Sequence, residues 1–241
     1  MDFSEVISNA YTGRGILIGL SRQWMPIILY AVSGRSEASR MRKATILERD
    51  GIAYGVHIGP LDESDKDELR HYDAMLIDPE RDFVVVTNGR HTNDLAKRYM
   101  TPKDKLGVWA MGYVLDKYGS EPDDYHTPRI AGASNWVHPH RATFGIKNFR
   151  KAVRVWHETL LENGTVFYLP TYTGSGSNPR DVVVNKNGEI YKLHMDGTTA
   201  QELAEELFHM MPKDLVVCTA AVAKESWSEG RKVAVRNLHG D

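Results

Sequence analysis

Short apolar runs separated by polar turns dominate the first third of the chain. Each run is too short for a typical helix and is bounded by turn residues, so we predict a buried strand for each. The first two runs flank polar residues 21–23 and predict a hairpin. Residues 34–40 are interpreted as a loop, and 61–70 as a charged, solvent-exposed linker. The predicted strands are 15–20, 27–32, 44–48, 53–58, 73–77 and 82–87.

The middle of the chain changes to helical periodicity. Thr92 is placed to cap a helix that runs towards Met100. A second helix is predicted to begin at Thr101-Pro102, with proline in its first turn, and to end at Gly119. Its apolar positions recur at helical spacing, at Leu106, Trp109, Ala110, Tyr113 and Val114.

The second half of the chain returns to strand-like patterns. Residues 151–159 fit a helix or a strand, and we choose a strand because their apolar residues alternate and are β-rich. A strand at 166–169 leads into 170–177, which we interpret as a flexible loop. Residues 181–193 are predicted to form a hairpin around Asn187-Gly188.

One more helix and two strands complete the predicted elements. Thr199 and Glu202 form a capping box that starts the helix, and 215–219 and 232–235 are the strands. The inward residues of this helix are predicted to be Leu203, Leu207 and Met211. Many strands with few helices indicate an α+β fold, in which two stacked, mainly antiparallel sheets lie between helix layers. We find no repeat and no obvious linker between domains, so residues 1–241 are predicted to form a single domain.

Composition and charge narrow the classes of protein. The formal net charge is -2, which gives no electrostatic footprint for nucleic acid or an anionic membrane surface. Cys218 is the only cysteine, so an internal disulfide and a thiolate-rich metal site are excluded. The first residues lack the pattern of a signal peptide, and no apolar run is long enough to span a membrane. We therefore expect a cytoplasmic protein.

Acidic, basic and aromatic residues are concentrated between Glu121 and Arg129. Three carboxylates, a tyrosine, a histidine and an arginine lie within nine positions, directly before the apolar stretch 130–133. Prolines near both ends hold the backbone extended. This pattern predicts a sheet edge that presents acid and base groups to a cleft. A charged surface loop is an equally good interpretation of the same residues.

Other candidate sites are weaker. His138 and His140 form the tightest histidine pair, but no metal-ligand spacing accompanies them, so we predict no metal. The turn from Asn88 to Thr92 offers backbone N–H groups at a helix start, where an anion can bind. Arg35 and Arg40 supply guanidinium groups for a phosphate or a polarised carbonyl, although an exposed loop explains both. Cys218 is interpreted as a buried core residue.

Five short segments, taken together and in order, carry a resemblance to a known family. They are Tyr11-x-Gly-Arg-Gly15, Arg35-Ser-x-x-x-Arg40, Asn88-Gly-x-His-Thr-x-Asp94, Glu121 ahead of Thr127-Pro-Arg-Ile130, and Pro170-Thr-Tyr172. This set resembles the archaeal-type IMP cyclohydrolases. The chain departs from that pattern by a longer start and by extra residues around 138–164.

The resemblance implies a fold and a reaction. The implied fold is a four-layer αββα sandwich like that of the N-terminal-nucleophile hydrolases, without their terminal nucleophile. The implied reaction closes 5-formamidoimidazole-4-carboxamide ribotide to inosine monophosphate with loss of water, the last step of purine synthesis. No cofactor or metal is implied. The expected partners are the purine nucleotide substrate and product and further copies of the chain in a homo-oligomer.

The resemblance also implies site residues. The family's active-site arginine, tyrosine and glutamate map onto Arg40, Tyr72 and Glu121. We assign Arg40 to the formyl oxygen, where negative charge develops, and the other two to proton transfer. Candidate substrate contacts are Arg35, Asn88, Gly89, His91, Thr92, Thr127 and Arg129. The alternative function is a non-catalytic purine-nucleotide binding protein of the same fold.

Overall fold

Two stacked antiparallel sheets form the centre of the molecule. The computed structural model describes residues 7, 10–65, 67–99, 107–136, 141–160, 162–182, 184 and 190–240. The six-stranded first sheet has the order β13-β10-β1-β2-β14-β15, and the seven-stranded second sheet runs from β3 to β9 in chain order. The strands of the first sheet are β1 (Arg14–Leu20), β2 (Pro26–Ser33), β10 (Thr165–Pro170), β13 (Tyr191–His194), β14 (Val216–Lys224) and β15 (Arg231–Asn237). Those of the second are β3 (Arg42–Arg49), β4 (Ile52–Pro60), β5 (Tyr72–Asp78), β6 (Phe83–Thr87), β7 (Arg129–Asn135), β8 (Arg141–Lys147) and β9 (Arg154–Thr159).

Helices pack on the outer faces of the sheets. In chain order they are α1 (Glu37–Arg40), α2 (Thr92–Tyr99), α3 (Val108–Tyr118) and α4 (Ala200–Met210). Helix α4 buries Leu203 and Leu207 against the first sheet, while α2 and α3 bury Leu95 and Leu115 against the second. Helices α2, α3 and α4 therefore cover apolar side chains that point away from the other sheet, whereas the short helix α1 has no buried residue.

The inner faces of the two sheets share one apolar core. Side chains such as Tyr30 from the first sheet and Phe144 from the second are fully buried there. The sheets approach each other closely at Gly132, where an added Cβ would lie 2.8 Å from Ile16 and 2.9 Å from Ile18. Close packing across this gap holds β1 of one sheet against β7 of the other.

The strand pattern of the sequence is largely confirmed. All the strands predicted between residues 15 and 87 are present, and the first two pair as a hairpin. The contested stretch 151–159 contains strand β9, as we predicted. The capping box is present at the start of α4, and the predicted inward residue Met211, at the end of this helix, is buried. Cys218 is buried, and burial raises the pKa of its thiol to about 12.

Three local predictions are corrected. The segment 34–40 contains the short helix α1, because Ser36 and Ser39 form a reciprocal capping box. Residues 172–181 form the separate hairpin of β11 (Tyr172–Ser175) and β12 (Asn178–Asp181), where we predicted a flexible loop. The hairpin predicted over 181–193 is not formed by the described strands, since β12 pairs with β11 and β13 pairs with β10. Its turn at 187–188 lies outside the described residues.

The helical predictions need smaller corrections. Helix α2 begins at Thr92, but the Thr92 hydroxyl donates to carbonyl oxygens of Gly89 and Asp73 and caps no helical N–H. The start that we predicted for the next helix, at 101–102, lies outside the described residues. On α3 the aromatic residues Trp109 and Tyr113 are exposed, and smaller apolar side chains face the sheet. Across the described part of the chain, no helix has the length and apolar character needed to cross a membrane.

Candidate active site

A cavity of about 340 Å³ lies where five segments of the chain meet. This volume lies within the range of small-molecule sites. Its walls come from the start of β1, the end of β2 with the following α1 and β3, the loop before β5, the loop before β7, and the β11–β12 hairpin. The residues on these walls are Tyr11, Gly13, Arg14, Ser33, Arg35, Ser36, Ser39, Arg42, Arg70, Asp123, Tyr125, Thr127, Tyr172 and Gly176.

The lining is strongly cationic. Four of the lining residues are arginines, namely Arg14, Arg35, Arg42 and Arg70, whereas Asp123 is the only carboxylate among the described lining residues. An excess of positive charge in a concave, partly apolar site concentrates anions. The cavity is therefore suited to a ligand with a negatively charged group.

A buried ion pair stands behind one wall of the cavity. Nη2 of Arg14 donates a hydrogen bond of 2.5 Å to Oε2 of Glu121, whose side chain is 2% exposed. On the other side of the same carboxylate, Nη1 of Arg129 lies 3.7 Å from Oε1. Glu121 is held in this position through its backbone N–H, which donates to the carbonyl of Thr127.

Burial affects the pKa values of Glu121 and Arg14. Burial raises the pKa of the Glu121 carboxyl above its ordinary value, and Arg14 and Arg129 oppose that rise only in part. Burial is the largest single influence on Arg14 and acts to lower its pKa, but Glu121, Tyr72 and Tyr30 together outweigh it, so the pKa of Arg14 is raised and the side chain stays charged. A carboxyl whose pKa is raised in this way is a candidate for proton transfer.

Gly89 has no side chain, and Arg129 and Glu121 occupy the space that a side chain would fill. A Cβ at this position would lie 2.7 Å from Nη1 of Arg129 and 3.2 Å from Oε1 of Glu121. The first distance is shorter than real Cβ contacts, so any side chain here displaces the guanidinium. The tight turn predicted at this residue therefore also brings the backbone close to the ion pair.

His91 contacts the same guanidinium nitrogen of Arg129 that lies near Glu121. Its Nε2 lies 3.3 Å from the carbonyl oxygen of Ile130, and Nη1 of Arg129 lies 3.4 Å from Nδ1. Burial first, and then the charge of Arg129, lower the pKa of His91 to about 3. The imidazole is therefore neutral at physiological pH, and we infer that Nε2 carries the proton and Nδ1 accepts.

Two tyrosine hydroxyls meet in the core near Arg14. Oη of Tyr72 lies 2.9 Å from Oη of Tyr30, and both side chains are buried. Burial raises the pKa of Tyr72, although the charges of Arg14 and Arg42 oppose that effect. Tyr72 is therefore protonated at neutral pH and has the charge state of a proton donor.

Aromatic rings and hydroxyls form another part of the lining. Oγ1 of Thr127 donates to Asp123 at 2.5 Å and lies 2.6 Å from Oη of Tyr172. The rings of Tyr172 and Tyr11 are stacked, with centroids 5.7 Å apart. Flat apolar faces beside hydroxyl and carboxylate groups match a heterocyclic base attached to a sugar.

Arg35 joins two of the tyrosine rings. Its guanidinium carbon lies 4.7 Å from the ring centroid of Tyr11 and 5.0 Å from that of Tyr125. Nη1 also donates to the carbonyl oxygen of Gly176 at 3.2 Å. Tyr125 is exposed, so this cation–π contact lies at the solvent side of the cavity.

The structure places the three expected catalytic residues differently. Glu121 and Tyr72 both lie close to Arg14, behind the cavity wall. Arg40 does not line the cavity, because its Nη1 donates to the carbonyl oxygen of Asp214. Its neighbour Arg42 lines the cavity and is 3% exposed.

The expected substrate contacts also divide into groups. Arg35 and Thr127 line the cavity, whereas Gly89, His91 and Arg129 surround Glu121 behind it. The side chains of Asn88 and Thr92 are fully buried and bond to the backbone of neighbouring elements. The turn from 88 to 92 is thus absent from the described cavity lining.

Sequence reasoning missed Arg14 and Arg42 as site residues. The motif around Arg14 carried part of the resemblance, but we assigned no role to Arg14 itself. The pairing of Arg14 with Glu121 spans 107 residues, so no local spacing reveals it. The pair His138 and His140 lies outside the described residues. No group of three or more potential metal ligands is found in the described part of the chain.

Fold and site together define a class of protein: a two-sheet α+β protein with a basic, tyrosine-lined cavity whose lining suits a small anionic ligand. The chain belongs to the family of IMP cyclohydrolase-like proteins, whose model matches residues 11–229. Every described residue of the cavity lining falls inside that match.

Curated relatives match the chain over nearly its full length. A protein of Methanothrix thermoacetophila named IMP cyclohydrolase is 31% identical over 229 residues, which cover 94% of this chain and 98% of the relative. Proteins of the same name from Thermococcus kodakarensis and Methanocaldococcus jannaschii are 28% and 26% identical, and the matches cover 89% and 94% of this chain and 93% and 98% of those relatives. The similarity therefore includes the core and the cavity alike.

Proposed function

We propose that this protein is an IMP cyclohydrolase, which closes 5-formamidoimidazole-4-carboxamide ribotide to inosine monophosphate and releases water. The observation that carries the proposal is the near-full-length similarity to relatives named IMP cyclohydrolase, in a family match that includes the whole described cavity. The cationic and aromatic lining agrees with a nucleotide ligand. Purine nucleotide is therefore the substrate class that we assign to the cavity.

The reaction needs positioning and proton transfer. A carboxamide nitrogen is a weak nucleophile, so holding it against the formyl carbon lowers the barrier to ring closure. Negative charge then develops on the formyl oxygen, where a fixed cation stabilises it. Loss of water from the carbinolamine finally requires a general acid, and a base must remove the ring proton.

We assign these tasks to the groups around Arg14. The raised pKa of Glu121 suits a group that accepts a proton and returns it, and the protonated Tyr72 suits the general acid. Arg14 lines the cavity and supplies a charged guanidinium next to both. In the proposed reaction Arg40 contributes a second cation, for which its guanidinium must leave the carbonyl oxygen of Asp214.

The same site favours a second candidate function. The contact between Arg40 and Asp214 directs the expected catalytic arginine away from the cavity. A protein that keeps this arrangement binds a purine nucleotide through the remaining arginines and tyrosines without closing the ring. The second candidate is therefore a non-catalytic purine-nucleotide binding protein.

Two assays on the purified protein separate the candidates. The protein is incubated with the formamido ribotide, and formation of inosine monophosphate is followed by ultraviolet absorbance. Calorimetry measures binding of inosine monophosphate to the same preparation. We expect turnover together with binding. Binding without turnover by folded protein would support the second candidate. If the folded protein shows neither binding nor turnover, both candidates are contradicted.

Further properties belong to the same proposal. Helices on the outer faces of both sheets support a four-layer αββα arrangement like that of the N-terminal-nucleophile hydrolases. The single buried cysteine is compatible with the reducing cytoplasm. The exposed aromatic residues Trp109 and Tyr113 on α3 offer apolar area for contact between copies in a homo-oligomer. Analytical ultracentrifugation measures that oligomeric state directly.

A further inference from the structure

The four arginines of the cavity differ in how their charges are compensated. Arg14 is paired with Glu121, and Arg35 lies between the rings of two tyrosines. Arg70 is paired with Asp65 and with a second aspartate, Asp67. Each of these three guanidiniums therefore already has an electrostatic partner in the protein.

Arg42 is the exception among them. It is 3% exposed, and its Nε donates a hydrogen bond of 2.8 Å to the carbonyl oxygen of Ser39. It forms no ion pair with any described residue. Removing a guanidinium from water without a counter-charge is costly, and buried charges are therefore paired in folded proteins. The cavity is the side from which such a partner can reach it, since Arg42 forms part of the lining.

We propose that Arg42 is the residue that receives the phosphate group of the nucleotide. A phosphate carries a full negative charge in the bound ground state, whereas a formyl or carboxamide oxygen does not. The planar guanidinium also fits two phosphate oxygens at once. This inference rests on the proposed purine-nucleotide ligand. It adds which part of the cavity receives the phosphate group of that ligand.

The surroundings of Arg42 agree with a phosphate subsite. The neighbouring lining residues are Ser33, Ser36 and Ser39, which contribute hydroxyl groups, and Arg70, which contributes a second cation. The stacked rings of Tyr11 and Tyr172 belong to a different part of the lining, which comes from other segments. The cavity thus has one region suited to a phosphate and another suited to a base.

Arg42 could instead act at the reacting atoms, and binding and turnover measurements distinguish that role from phosphate binding. Its charge also acts on the hydroxyl of Tyr72, so a role at the reacting atoms is the competing assignment. A residue at the phosphate affects the binding of nucleotide but not of nucleoside. A residue at the reacting atoms affects turnover, or affects both ligands alike.

The experiment compares two ligands across four proteins. Calorimetry measures the Kd of inosine monophosphate and of inosine for the wild type, Arg42→Met, Arg42→Lys and Arg49→Met. Arg49 is the matched control, because it lies on the same strand β3 but is exposed. We expect Arg42→Met to weaken binding of inosine monophosphate about 100-fold, the usual scale for a lost buried charge contact, and to leave inosine binding within twofold.

The second variant keeps the test decisive if Arg42→Met does not fold. Lysine retains the charge but not the planar fork, so Arg42→Lys is expected to lose about tenfold in nucleotide affinity. Arg49→Met is expected to match the wild type for both ligands. Equal weakening of both ligands by the Arg42 variants, or lost turnover with unchanged nucleotide Kd, would overturn the assignment. Phosphate-dependent binding without turnover would preserve it while contradicting the proposed enzymatic activity.

Discussion

Oε2 of Glu121 accepts a 2.5 Å hydrogen bond from Nη2 of Arg14, a residue 107 positions earlier in the chain. Arg129 approaches the same carboxylate from its other oxygen. One buried carboxylate therefore compensates two buried guanidiniums. Its removal affects both the chemistry of the site and the stability of the fold.

Replacing Glu121 with glutamine tests both effects. We expect turnover to fall by about 100-fold or more, because an amide cannot accept and return a proton. We also expect the free energy of unfolding to fall by about 3 kcal/mol, because two guanidiniums lose their counter-charge. Absorbance assays and urea unfolding measure the two quantities.

The exposed Glu162 provides the matched control for this variant. Glu162→Gln is expected to leave both quantities near their wild-type values. The assays are made at a temperature where every variant is folded. Wild-type turnover in Glu121→Gln would remove Glu121 from the mechanism.

The hydrogen bond between Tyr30 and Tyr72 can be removed from either side by a single substitution. Tyr72→Phe and Tyr30→Phe both remove the 2.9 Å contact between the hydroxyls, so each is expected to cost about 1 kcal/mol of stability. Only Tyr72→Phe removes the proposed general acid, and we expect it alone to lower turnover by about 100-fold. Equal turnover in the two variants would show that Tyr72 acts only in packing.

Gly89 is expected to tolerate no side chain. Gly89→Ala places a Cβ 2.7 Å from Nη1 of Arg129, which must move and disturb Glu121. We expect at least a tenfold loss of turnover and a loss of about 1–3 kcal/mol in stability, the usual cost of overpacking. The control is Gly230→Ala, since no atom lies within 4 Å of a Cβ there. Similar kinetics in the two variants would contradict this view of the turn.

His91 is expected to make the fold sensitive to mild acid. Its pKa is lowered to about 3 in the folded protein, while the unfolded chain takes up a proton near the ordinary value of 6.5. The unfolded state thus binds more protons below pH 6.5, so the stability present at neutral pH is lost as the pH falls from about 6.5 towards 3. Between pH 7 and pH 5 the expected loss is about 2 kcal/mol.

Urea unfolding at pH 7, 6 and 5 checks this dependence. The stability of His91→Gln is expected to fall less than that of the wild type, because glutamine does not titrate. The groups facing His91, namely Arg129, Arg14 and Asp94, remain in both proteins, so their contributions largely cancel in the comparison. His209 is exposed, and the stability of His209→Gln is expected to change with pH as that of the wild type does. Parallel pH curves for the wild type and His91→Gln would exclude the buried neutral imidazole as the cause.

The sequence was sufficient for most of the sheets, because buried strands and their turns follow local patterns. Where longer-range packing decides, local patterns failed. Trp109 and Tyr113 on α3 have helical spacing but are exposed, since Met111, Val114 and Leu115 pack against the second sheet. The β11–β12 hairpin replaced a predicted loop because pairing between the two segments outweighed the flexible composition of 170–177.

The site was predictable only in part for the same reason. Glu121 and Arg129 attracted attention through their dense local cluster of charges, and the structure brings them together. Arg14 could not be assigned, because its partner is defined only once β1 is placed next to the loop before β7. The roles expected for Arg40 and for the 88–92 turn remain proposals, and the Gly89 and His91 variants above test the turn.

The carboxylate of Glu121 also connects the two halves of the molecule mechanically. Arg14 begins β1 in the first sheet, and Arg129 begins β7 in the second, so this side chain spans the seam that Gly132 keeps narrow. Any change in the gap between the sheets must then lengthen or compress contacts around Glu121, where we propose that proton transfer occurs. Repacking the interior at Ile16 or Ile18 should consequently alter catalysis from a distance, without touching the ligand.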